Sequence, residues 1–396
     1  FVCLSTLNMA EPTIGANSDT QAVNNFGTLT YTGDGQSSQN IVSGASGIGG
    51  EIDFQPDFVW IKNRTSGYSH QLQDSNRGFV ATKVLSTNQT AGEGVASATG
   101  DNYGHMSGVE ANGFTVTHTI NSNNDGGTIR KGTHFLNDTY VAWNWKADGS
   151  ASTIAVDSVS SGVPSIASSV SANTTAGFSI VTYSGNADAS ATIGHGLQVN
   201  GVATTPKMIM VKKRDEAGNW IVFTETTGED NKLNLNATTA NATSALFNNA
   251  DPTSTVFSVK DTSSDDTFGD GHTYVAYCFA DVEGYSKIGS YTGNGATSGT
   301  AGTYVYLGFR PSFVMLKSTG TGSWWMLDST RDPFNEALRA LQANAPADEE
   351  AYSGNFLDFY SNGFAPRTSG AQVNGSGTTY IYMAFAEAPF KYANAR

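Results

Sequence analysis

The sequence predicts an all-β protein built from three tandem, homologous β-sandwich domains of a jelly-roll-like kind. One observation behind this prediction is the alternation of apolar and polar residues in short runs, which is typical of half-buried strands. A second is the frequency of turn dipeptides such as Asn-Gly and Asp-Gly between those runs. The third is that four sequence features recur three times in the same order, which indicates a repeated structural unit.

The four recurring features are a turn and three strand-like runs. The first is a Tyr-Ser/Thr-Gly turn, at Tyr31, Tyr183 and Tyr291. The second is a strand that begins with proline and ends with lysine, at Pro56–Lys62, Pro206–Lys212 and Pro311–Lys317. The third is a run that carries a phenylalanine, at Phe114, Phe257 and Phe364. The fourth is a Thr-Tyr strand, which begins at Thr139, Thr273 and Thr379.

The Thr-Tyr strand is predicted to place one face in a domain core. Large apolar residues occupy alternate positions of its three copies, at Trp143, Trp145, Tyr277, Phe279, Met383 and Phe385. The opposite face carries smaller residues such as Ala142 and Cys278. Because the other cysteine, Cys3, lies at the far end of the chain, Cys278 is predicted to be a core residue and not part of a disulfide framework.

The predicted organisation follows from the repeats and from the composition between them. It consists of an N-terminal connecting segment, a first domain, a Ser/Thr-rich linker, a second domain, and a third domain with a C-terminal tail, at residues 1–25, 26–149, 150–177, 178–283 and 284–396. The composition of residues 150–177 is typical of a linker, which would let the first domain stand apart in an elongated molecule. The segment between the second and third domains is very short, so these two domains are predicted to pack rigidly against each other.

One segment of the third domain is predicted to be helical. It reads "DPFNEALRALQANAP" from Asp332, where aspartate can cap a helix and proline suits its first position. Phe334, Leu338 and Leu341 would share one face of that helix.

Charge and motif content exclude several classes of function. The formal net charge is −14, and no cluster of Lys and Arg occurs, so binding to nucleic acid or insertion into a membrane is not expected. The apolar runs are far shorter than the roughly 20 residues of a membrane-spanning helix. The histidines lack zinc-ligand spacing, and nucleophile and phosphate-loop motifs are missing. The expectation is a protein without enzymatic activity, cofactor or metal.

An Asp-Ser-x-Arg sequence occurs at Asp74–Arg77 and Asp328–Arg331 and is replaced in the second domain. A hydrogen-bonded Asp/Arg turn is the favoured interpretation, because glycosidase chemistry needs two facing carboxylates and no second one recurs.

The candidate ligand-binding residues are a lysine at the end of each Pro-led strand and a ring seven or eight residues later. The three pairs are Lys62 and His70, Lys212 and Trp220, and Lys317 and Trp324. Two strands joined by a short turn would make each pair cross-strand neighbours. A lysine stem packed on a ring is the ordinary structural interpretation, and an exposed platform for a glycan is the alternative.

Several stretches resemble the tandem β modules of tail-fibre and virion appendage proteins of marine tailed phages, in particular cyanophages. They include "GFRPSFVMLKSTGTGSWWMLDSTRD" and the C-terminal "YIYMAFAEAPFKYANAR". The resemblance implies an extracellular virion location, contact with other virion proteins and with a host-surface receptor or glycan, and a homo-oligomer, most simply a trimer. It transfers no catalytic residue. The aromatic residues left over after the cores are assigned are predicted oligomer contacts: Trp325, Phe390 and Tyr392.

Two alternatives stay open at this point. A cellular adhesin or surface-filament subunit could be built from the same tandem sandwiches. A glycan depolymerase is less favoured, because it requires a carboxylate pair that the repeats do not provide.

Overall fold

A computed structural model describes residues 25–94, 103–118, 131–264, 266–296, 302–351 and 357–387. Within these residues the regular structure consists of β-strands and one short 3₁₀ turn at Ala81–Lys83. The predicted all-β class is therefore confirmed. The N-terminal connecting segment, apart from its last residue, lies outside the described residues, as does the end of the C-terminal tail.

The strands are numbered in chain order. Those of the first repeat are β1 Phe26–Thr32, β2 Ser38–Val42, β3 Gly49–Gly50, β4 Phe58–Asn63, β5 Gln71–Asp74, β6 His105–Glu110, β7 Gly113–Thr117 and β8 Thr139–Trp145. The second group comprises β9 Ser152–Ile154, β10 Ser168–Asn173, β11 Phe178–Ser184, β12 Ser190–Gly194, β13 Gln198–Val199, β14 Val202–Ala203, β15 Met208–Lys213, β16 Trp220–Thr224, β17 Asn231–Asn234, β18 Ala242–Thr243, β19 Val256–Lys260 and β20 Thr273–Phe279. The third comprises β21 Ser286–Thr292, β22 Val305–Tyr306, β23 Pro311–Ser318, β24 Trp324–Asp328, β25 Arg339–Gln342, β26 Glu350–Ala351, β27 Leu357–Tyr360, β28 Gly363–Pro366 and β29 Thr379–Ala386.

Each repeat has a main antiparallel sheet with the same central order. The three sheets run β3-β1-β8-β4-β5, β18-β17-β16-β15-β20-β11-β10-β9 and β21-β29-β23-β24-β25-β26. In every one the Thr-Tyr strand lies between the strand of the tyrosine turn and the Pro-led strand. A smaller sheet covers each main sheet and carries the repeated phenylalanine, in the orders β2-β7-β6, β12-β19 and β22-β28-β27. The three Thr-Tyr strands thus occupy one topological position.

The outer core of each repeat is built from the recurring residues themselves. The tyrosine of the turn stacks on the tyrosine of the Thr-Tyr strand with ring centroids 5.1 Å apart in all three copies: Tyr31 on Tyr140, Tyr183 on Tyr274 and Tyr291 on Tyr380. The repeated phenylalanine packs edge-on against the first tyrosine of each pair. Offset and edge-to-face contacts of this kind are the favoured geometries of aromatic rings.

The other face of each main sheet is buried as well, in a core that all three repeats share. Trp145, Phe279 and Phe385 hold equivalent positions at the ends of the three Thr-Tyr strands and meet there. Their ring centroids lie 6.3 Å (Trp145–Phe279), 5.7 Å (Trp145–Phe385) and 6.2 Å (Phe279–Phe385) apart. The six alternating residues predicted to be buried are at most 2% exposed, which confirms their burial. Their surroundings differ from the prediction, because they fill the space between repeats and not the inside of one sandwich.

Burial on both faces explains why the Pro-led strands have continuous apolar sequences. Every residue of β4 and β15 is buried, as is every residue of β23 except Ser312, so these strands read as continuous apolar runs where a solvent-facing strand would alternate. The repeats close around a pseudo-threefold axis through the aromatic centre. The predicted elongated arrangement, with the first domain standing apart, is therefore wrong.

The segment predicted to be a linker, residues 150–177, forms two strands instead. Strand β10 pairs with β11 along its length and with β9 on its other side. Its small polar side chains are buried because they have partners: Ser168 Oγ donates to Gly194 O at 2.7 Å, and Asn173 Nδ2 donates to Asn25 Oδ1 at 2.6 Å. A Ser-rich composition permits a buried strand when each polar group is satisfied in this way.

The predicted helix from Asp332 is also wrong. The Asp332 carboxylate accepts hydrogen bonds from the backbone N–H groups of Leu338 and Arg339, at 2.8 and 2.7 Å, and thereby closes a loop. Strand β25 follows and pairs with β24, placing Leu341 opposite Met326. The open edge of the main sheet supplies hydrogen bonds that outweigh the local helical spacing.

Candidate functional site

The lysine and ring residues singled out from the sequence lie in the hairpin between the Pro-led strand and the next strand. Lys212 is paired with Trp220 and Lys317 with Trp324 in the strand register, which confirms the predicted cross-strand pairing in these two repeats. Lys62 and His70 flank the Ile61–Gln71 pair of the corresponding hairpin. All six residues are at most 1% exposed. They cannot form an exposed glycan platform, so that alternative is wrong for this set.

The three lysines hold the hairpin turns. Each ammonium group donates to the backbone carbonyl of the following residue: Lys62 to Asn63 at 2.5 Å, Lys212 to Lys213 at 2.6 Å and Lys317 to Ser318 at 2.5 Å. Burial lowers the pKa of Lys62 to about 7, that of Lys212 to about 7 and that of Lys317 to about 8. Removal from water disfavours the charged form, which is the reason for the shift.

The paired ring in each hairpin reaches into the neighbouring repeat. Trp220 Nε1 donates to Ser86 O of the first repeat, and Trp324 Nε1 donates to Asn234 O of the second, both at 2.9 Å. His70 Nε2 lies 3.0 Å from Gln342 O of the third. Ser86, Asn234 and Gln342 hold equivalent places opposite the second strand of the hairpin. The rings therefore join each repeat to the next, in one direction around the axis.

A backbone hydrogen bond repeats at the same three junctions. Glu93 N donates to Arg214 O at 2.6 Å, Asn241 N to Thr319 O at 2.7 Å, and Glu349 N to Arg64 O at 3.0 Å. Each bond runs from a loop of one repeat to the hairpin turn of the next. Such head-to-tail contacts generate a closed ring when the rotation between units closes. Here the ring closes within one chain.

Two of the junctions contain a buried ionic network. Arg77 Nε lies 2.5 Å from Asp74 Oδ2 in the first repeat, and Arg331 Nε lies 2.6 Å from Asp328 Oδ2 in the third. The backbone N–H of each arginine also donates to its aspartate, which confirms the predicted hydrogen-bonded Asp/Arg turn. A residue from the Thr-Tyr strand of the neighbouring repeat completes each network. Tyr277 OH donates to Asp74 Oδ2 at 2.7 Å.

The second network has the same plan with a different donor. Trp143 Nε1 donates to Asp328 Oδ2 at 3.1 Å, and the Arg331 guanidinium lies 5.6 Å from the centre of the Trp143 ring. An outer glutamate extends both networks across the junction. Glu93 pairs with Arg77 and with Arg214 of the next repeat, and Glu349 pairs with Arg331 and with Arg64 of the next repeat. The positive charge of these arginines lowers the pKa of both glutamates against the effect of burial.

The third junction, between the second and third repeats, has neither the Asp–Arg pair nor the hydrogen-bond donor of the neighbouring Thr-Tyr strand. Thr224 stands where the other repeats have aspartate, since it occupies the same position opposite the start of the Pro-led strand. The residue equivalent to Trp143 and Tyr277 is Met383, which has no N–H or O–H to donate. The absence of Asp-Ser-x-Arg from the second repeat thus matches the loss of the donor in the third.

The predicted oligomer contacts fall in two groups. Trp325 is 5% exposed and packs in the core of the third repeat, on the face of β24 opposite Trp324, so its assignment to a contact between chains is wrong. Its equivalents Gln71 and Ile221 are also buried, because strands β24, β5 and β16 are covered on both faces. Phe390 and Tyr392 lie outside the described residues.

Arg64, Arg214, Glu93 and Glu349 are junction residues that the sequence analysis missed. The signal was present for half of them, because Arg64 and Arg214 both stand two residues after the lysine of the Pro-led strand. Their partners Glu93 and Glu349 lie in loops of differing length, which hides their correspondence. Three equivalent asparagines were missed for the same reason. Their side-chain oxygens accept hydrogen bonds from the backbone N–H of the hairpin rings: Asn88 from His70, Asn236 from Trp220 and Asn344 from Trp324.

Two further observations bear on the kind of site. Within the residues described above, no three His, Cys, Asp or Glu side chains come together as a metal-binding group. The same part of the chain contains no helix with the length and apolarity needed to cross a membrane.

Acidification is expected to weaken the ring through His70. Its Nδ1 accepts a hydrogen bond from Trp60 Nε1 at 2.8 Å, so a proton at Nδ1 would break that bond. Burial, together with the charge of Lys62, lowers the pKa of His70 to about 3. An unfolded histidine has a pKa of about 6.5, so between these values only the unfolded chain takes up the proton. Stability therefore falls as the pH drops below 6.5, by about 2 kcal/mol at pH 5 from this group.

Urea denaturation at pH 7.5, 6.0 and 5.0 measures this loss in the wild type and in His70→Gln. Glutamine can accept and donate hydrogen bonds but does not titrate, so the variant should lose less stability on acidification, whatever its stability at pH 7.5. Equal losses in the two proteins between pH 7.5 and 5.0 would contradict the assignment.

The fold and its junctions define the class of molecule: a ring of three β-sandwich repeats closed within one chain. The chain belongs to the family described as domain of unknown function DUF7483, whose model matches residues 21–389. That match spans all three repeats, so the family's unit contains the whole ring. No curated protein and no solved structure matches the chain significantly.

Proposed function

We propose that the chain is a non-enzymatic structural protein of a phage virion, a segment of a tail fibre or other appendage that presents a host-receptor contact. The observation that carries the structural part of this proposal is the use of the repeated Asp, Arg, Glu and Lys side chains. The Asp and Arg of the two repeated pairs are buried at the junctions, the partly buried Glu and Arg side chains join neighbouring repeats, and the buried lysines stabilise the hairpin turns. A module that uses its ionisable groups in this way is suited to rigidity.

The virion location rests on the resemblance of the Pro-led and Thr-Tyr strands to the modules of phage appendage proteins. A ring with a single continuous core transmits the position of its surface loops without internal hinges. This property suits a spacer or a presenting module at the end of an appendage.

The proposal includes a homotrimer of the whole chain in contact with other virion proteins. Both sides of each repeat already contact the other two repeats of the ring, through the junction hydrogen bonds described above. A trimer of chains therefore has to form through surfaces other than these flanks.

Particle proteomics tests the location. Particles of the phage that encodes the chain are banded by density, and peptides of the chain should co-band with the major capsid protein at a fixed ratio. The phage DNA polymerase serves as a marker of contamination by soluble protein. Immunogold labelling of intact particles should then mark an appendage. Recovery of the chain in the cell envelope and not in the particle fraction would support an adhesin and overturn the proposal.

A further inference from the structure

The outer face of the small sheet in the third repeat carries a patch of tyrosines. Tyr304 is 46% exposed and Tyr306 is 59% exposed, while Val305 between them is buried in the core. Tyr360, on the other outer strand of the same sheet, is partly exposed, and its neighbour Phe359 is buried. We call Tyr304, Tyr306 and Tyr360 the tyrosine patch. Three large rings facing solvent on one small sheet require an explanation.

Two of the three rings of the patch are held in place by polar contacts and by shape. The rings of Tyr304 and Tyr360 meet edge to face, with centroids 5.7 Å apart. The Tyr304 hydroxyl donates to Asn362 Oδ1, and the Tyr360 hydroxyl donates to Asp358 Oδ2 at 3.0 Å. A Cβ atom at Gly363 would lie 2.9 Å from the Tyr304 hydroxyl oxygen, so the glycine leaves room for that ring to cross the sheet. Rings fixed in this way lose little conformational entropy when a ligand binds.

Two polar atoms without hydrogen-bond partners lie near the Tyr360 hydroxyl. Asp358 is 4% exposed and forms an ion pair with Arg367 Nη1 at 2.6 Å. Asp358 Oδ1 and Arg367 Nε are nevertheless buried without a hydrogen-bond partner. Buried polar atoms are nearly always paired in folded proteins, so the unpaired acceptor and donor at this place are an exception that folding alone does not explain.

The other two repeats show that the sandwich does not need these tyrosines. The residue paired with the repeated phenylalanine is Val305 in the third repeat, Ile41 in the first and Ile193 in the second. The positions of Tyr304 and Tyr306 are accordingly Asn40 and Val42 in the first repeat, and Thr192 and Gly194 in the second. Tyr360 corresponds to Glu110 of the first repeat, because both lie opposite the glycine that precedes the phenylalanine. The rings therefore serve something other than folding.

We propose that the tyrosine patch is a carbohydrate-binding site, which deepens the proposed function by naming the chemical class of the receptor. The C–H face of a sugar ring is weakly positive and stacks on the negative face of a tyrosine. Tyr304 and Tyr306 are next-but-one along the chain, which puts their backbone positions about 7 Å apart, the scale of neighbouring sugars in a chain. The amide, carboxylate and guanidinium groups beside the rings match sugar hydroxyls, which both donate and accept.

Charge argues against the other ligands that stack on aromatic rings. Nucleic-acid bases stack on tyrosine, but their phosphates need clustered basic residues. The chain has a net charge of −14, and Arg367 at the patch is neutralised by Asp358. Lys287 Nζ lies 5.5 Å from the centre of the Tyr306 ring, but one lysine is not a basic cluster. An uncharged or weakly charged oligosaccharide is the ligand that this charge distribution favours.

Glycan binding by the isolated chain of 396 residues tests the proposal. The chain is applied to a printed array of bacterial lipopolysaccharide and capsular glycans, and the glycan that binds best is titrated by calorimetry. Tyr304→Ala/Tyr306→Ala should weaken binding at least about tenfold, since two stacking contacts are lost. Tyr306→Phe keeps the ring and should bind within about threefold of the wild type. The matched control is Leu136→Ala, which removes an apolar side chain that is 54% exposed in the first repeat, and it should bind like the wild type.

Three results would overturn the carbohydrate site. One is the absence of binding to any glycan on the array, and another is binding that the double alanine variant leaves unchanged. The third is a wild-type chain that self-associates in light scattering, binds no glycan, and becomes monomeric in the double variant, which would make the patch a protein contact. A chain that binds glycan but is missing from purified particles would retain this site and lose the virion assignment, so the two failures are distinguishable.

Discussion

Trp145→Ala is expected to lower the free energy of unfolding by about 3–5 kcal/mol, the usual cost of removing a buried tryptophan. The indole lies at the pseudo-threefold axis, with ring centroids 4.9 Å from Phe26, 5.1 Å from Phe58 and 5.7 Å from Phe385. Since the neighbouring rings come from opposite sides of the axis, a single side chain cannot shift to fill the cavity. The loss should appear in guanidinium denaturation followed by far-ultraviolet circular dichroism.

The same measurement tests whether the repeats fold together. A shared core predicts one transition that moves as a whole in Trp145→Ala, because all three sheets lose packing at once. Leu136→Ala, at an exposed position, should stay within about 0.5 kcal/mol of the wild type. A Trp145→Ala transition in which only a third of the signal moves, or a loss below 1 kcal/mol, would contradict a common core.

Asp328→Ala should cost about 3–5 kcal/mol, because it leaves the buried Arg331 guanidinium without its closest counter-charge. It also removes the acceptor of Trp143 Nε1 from the neighbouring repeat. The double variant Asp328→Thr/Arg331→Thr takes away both charges and imitates the second repeat, where Thr224 and Thr227 form the same turn. The double variant should therefore be about 1–2 kcal/mol more stable than Asp328→Ala.

A matched control for this pair of variants is Thr224→Ala at the equivalent position. It removes a buried hydroxyl that bonds within its own turn and no charge, so about 1 kcal/mol is expected. Chemical denaturation of the four proteins compares the values. If Asp328→Thr/Arg331→Thr is less stable than Asp328→Ala, the Asp–Arg pair does not act as a charge-compensated unit.

Much of the fold could be predicted because its signals are local. The Thr-Tyr and Pro-led strands carry their own pattern, and the tyrosine turn recurs with the phenylalanine that packs on it. Burial of residues such as Trp143 and Tyr277 follows from alternation alone. The register of Lys212 with Trp220 follows from the length of the hairpin between them.

The arrangement of the repeats could not be predicted in the same way, because it depends on contacts between residues far apart in the chain. Tyr277 and Asp74 are about two hundred residues apart and lie in different repeats, yet they share a hydrogen bond. The predictions of a linker and of a helix are wrong for a related reason. Each borders an open sheet edge, and the hydrogen bonds of that edge decide its conformation. The tyrosine patch was likewise missed, because its rings come together only across the strands of a small sheet.

Fusion of three interlocking repeats into one chain has a consequence for stoichiometry. Ring closure is a unimolecular event, so the assembled state does not dissociate on dilution as a trimer of separate domains would. Covalent linkage also frees the three copies to diverge, and the tyrosine patch is found in one of them. Among the described residues each chain therefore offers one such surface, where a symmetric trimer would offer three. On the proposed carbohydrate site, tight attachment through weak individual contacts would come from the number of chains displayed side by side and would depend on their spacing.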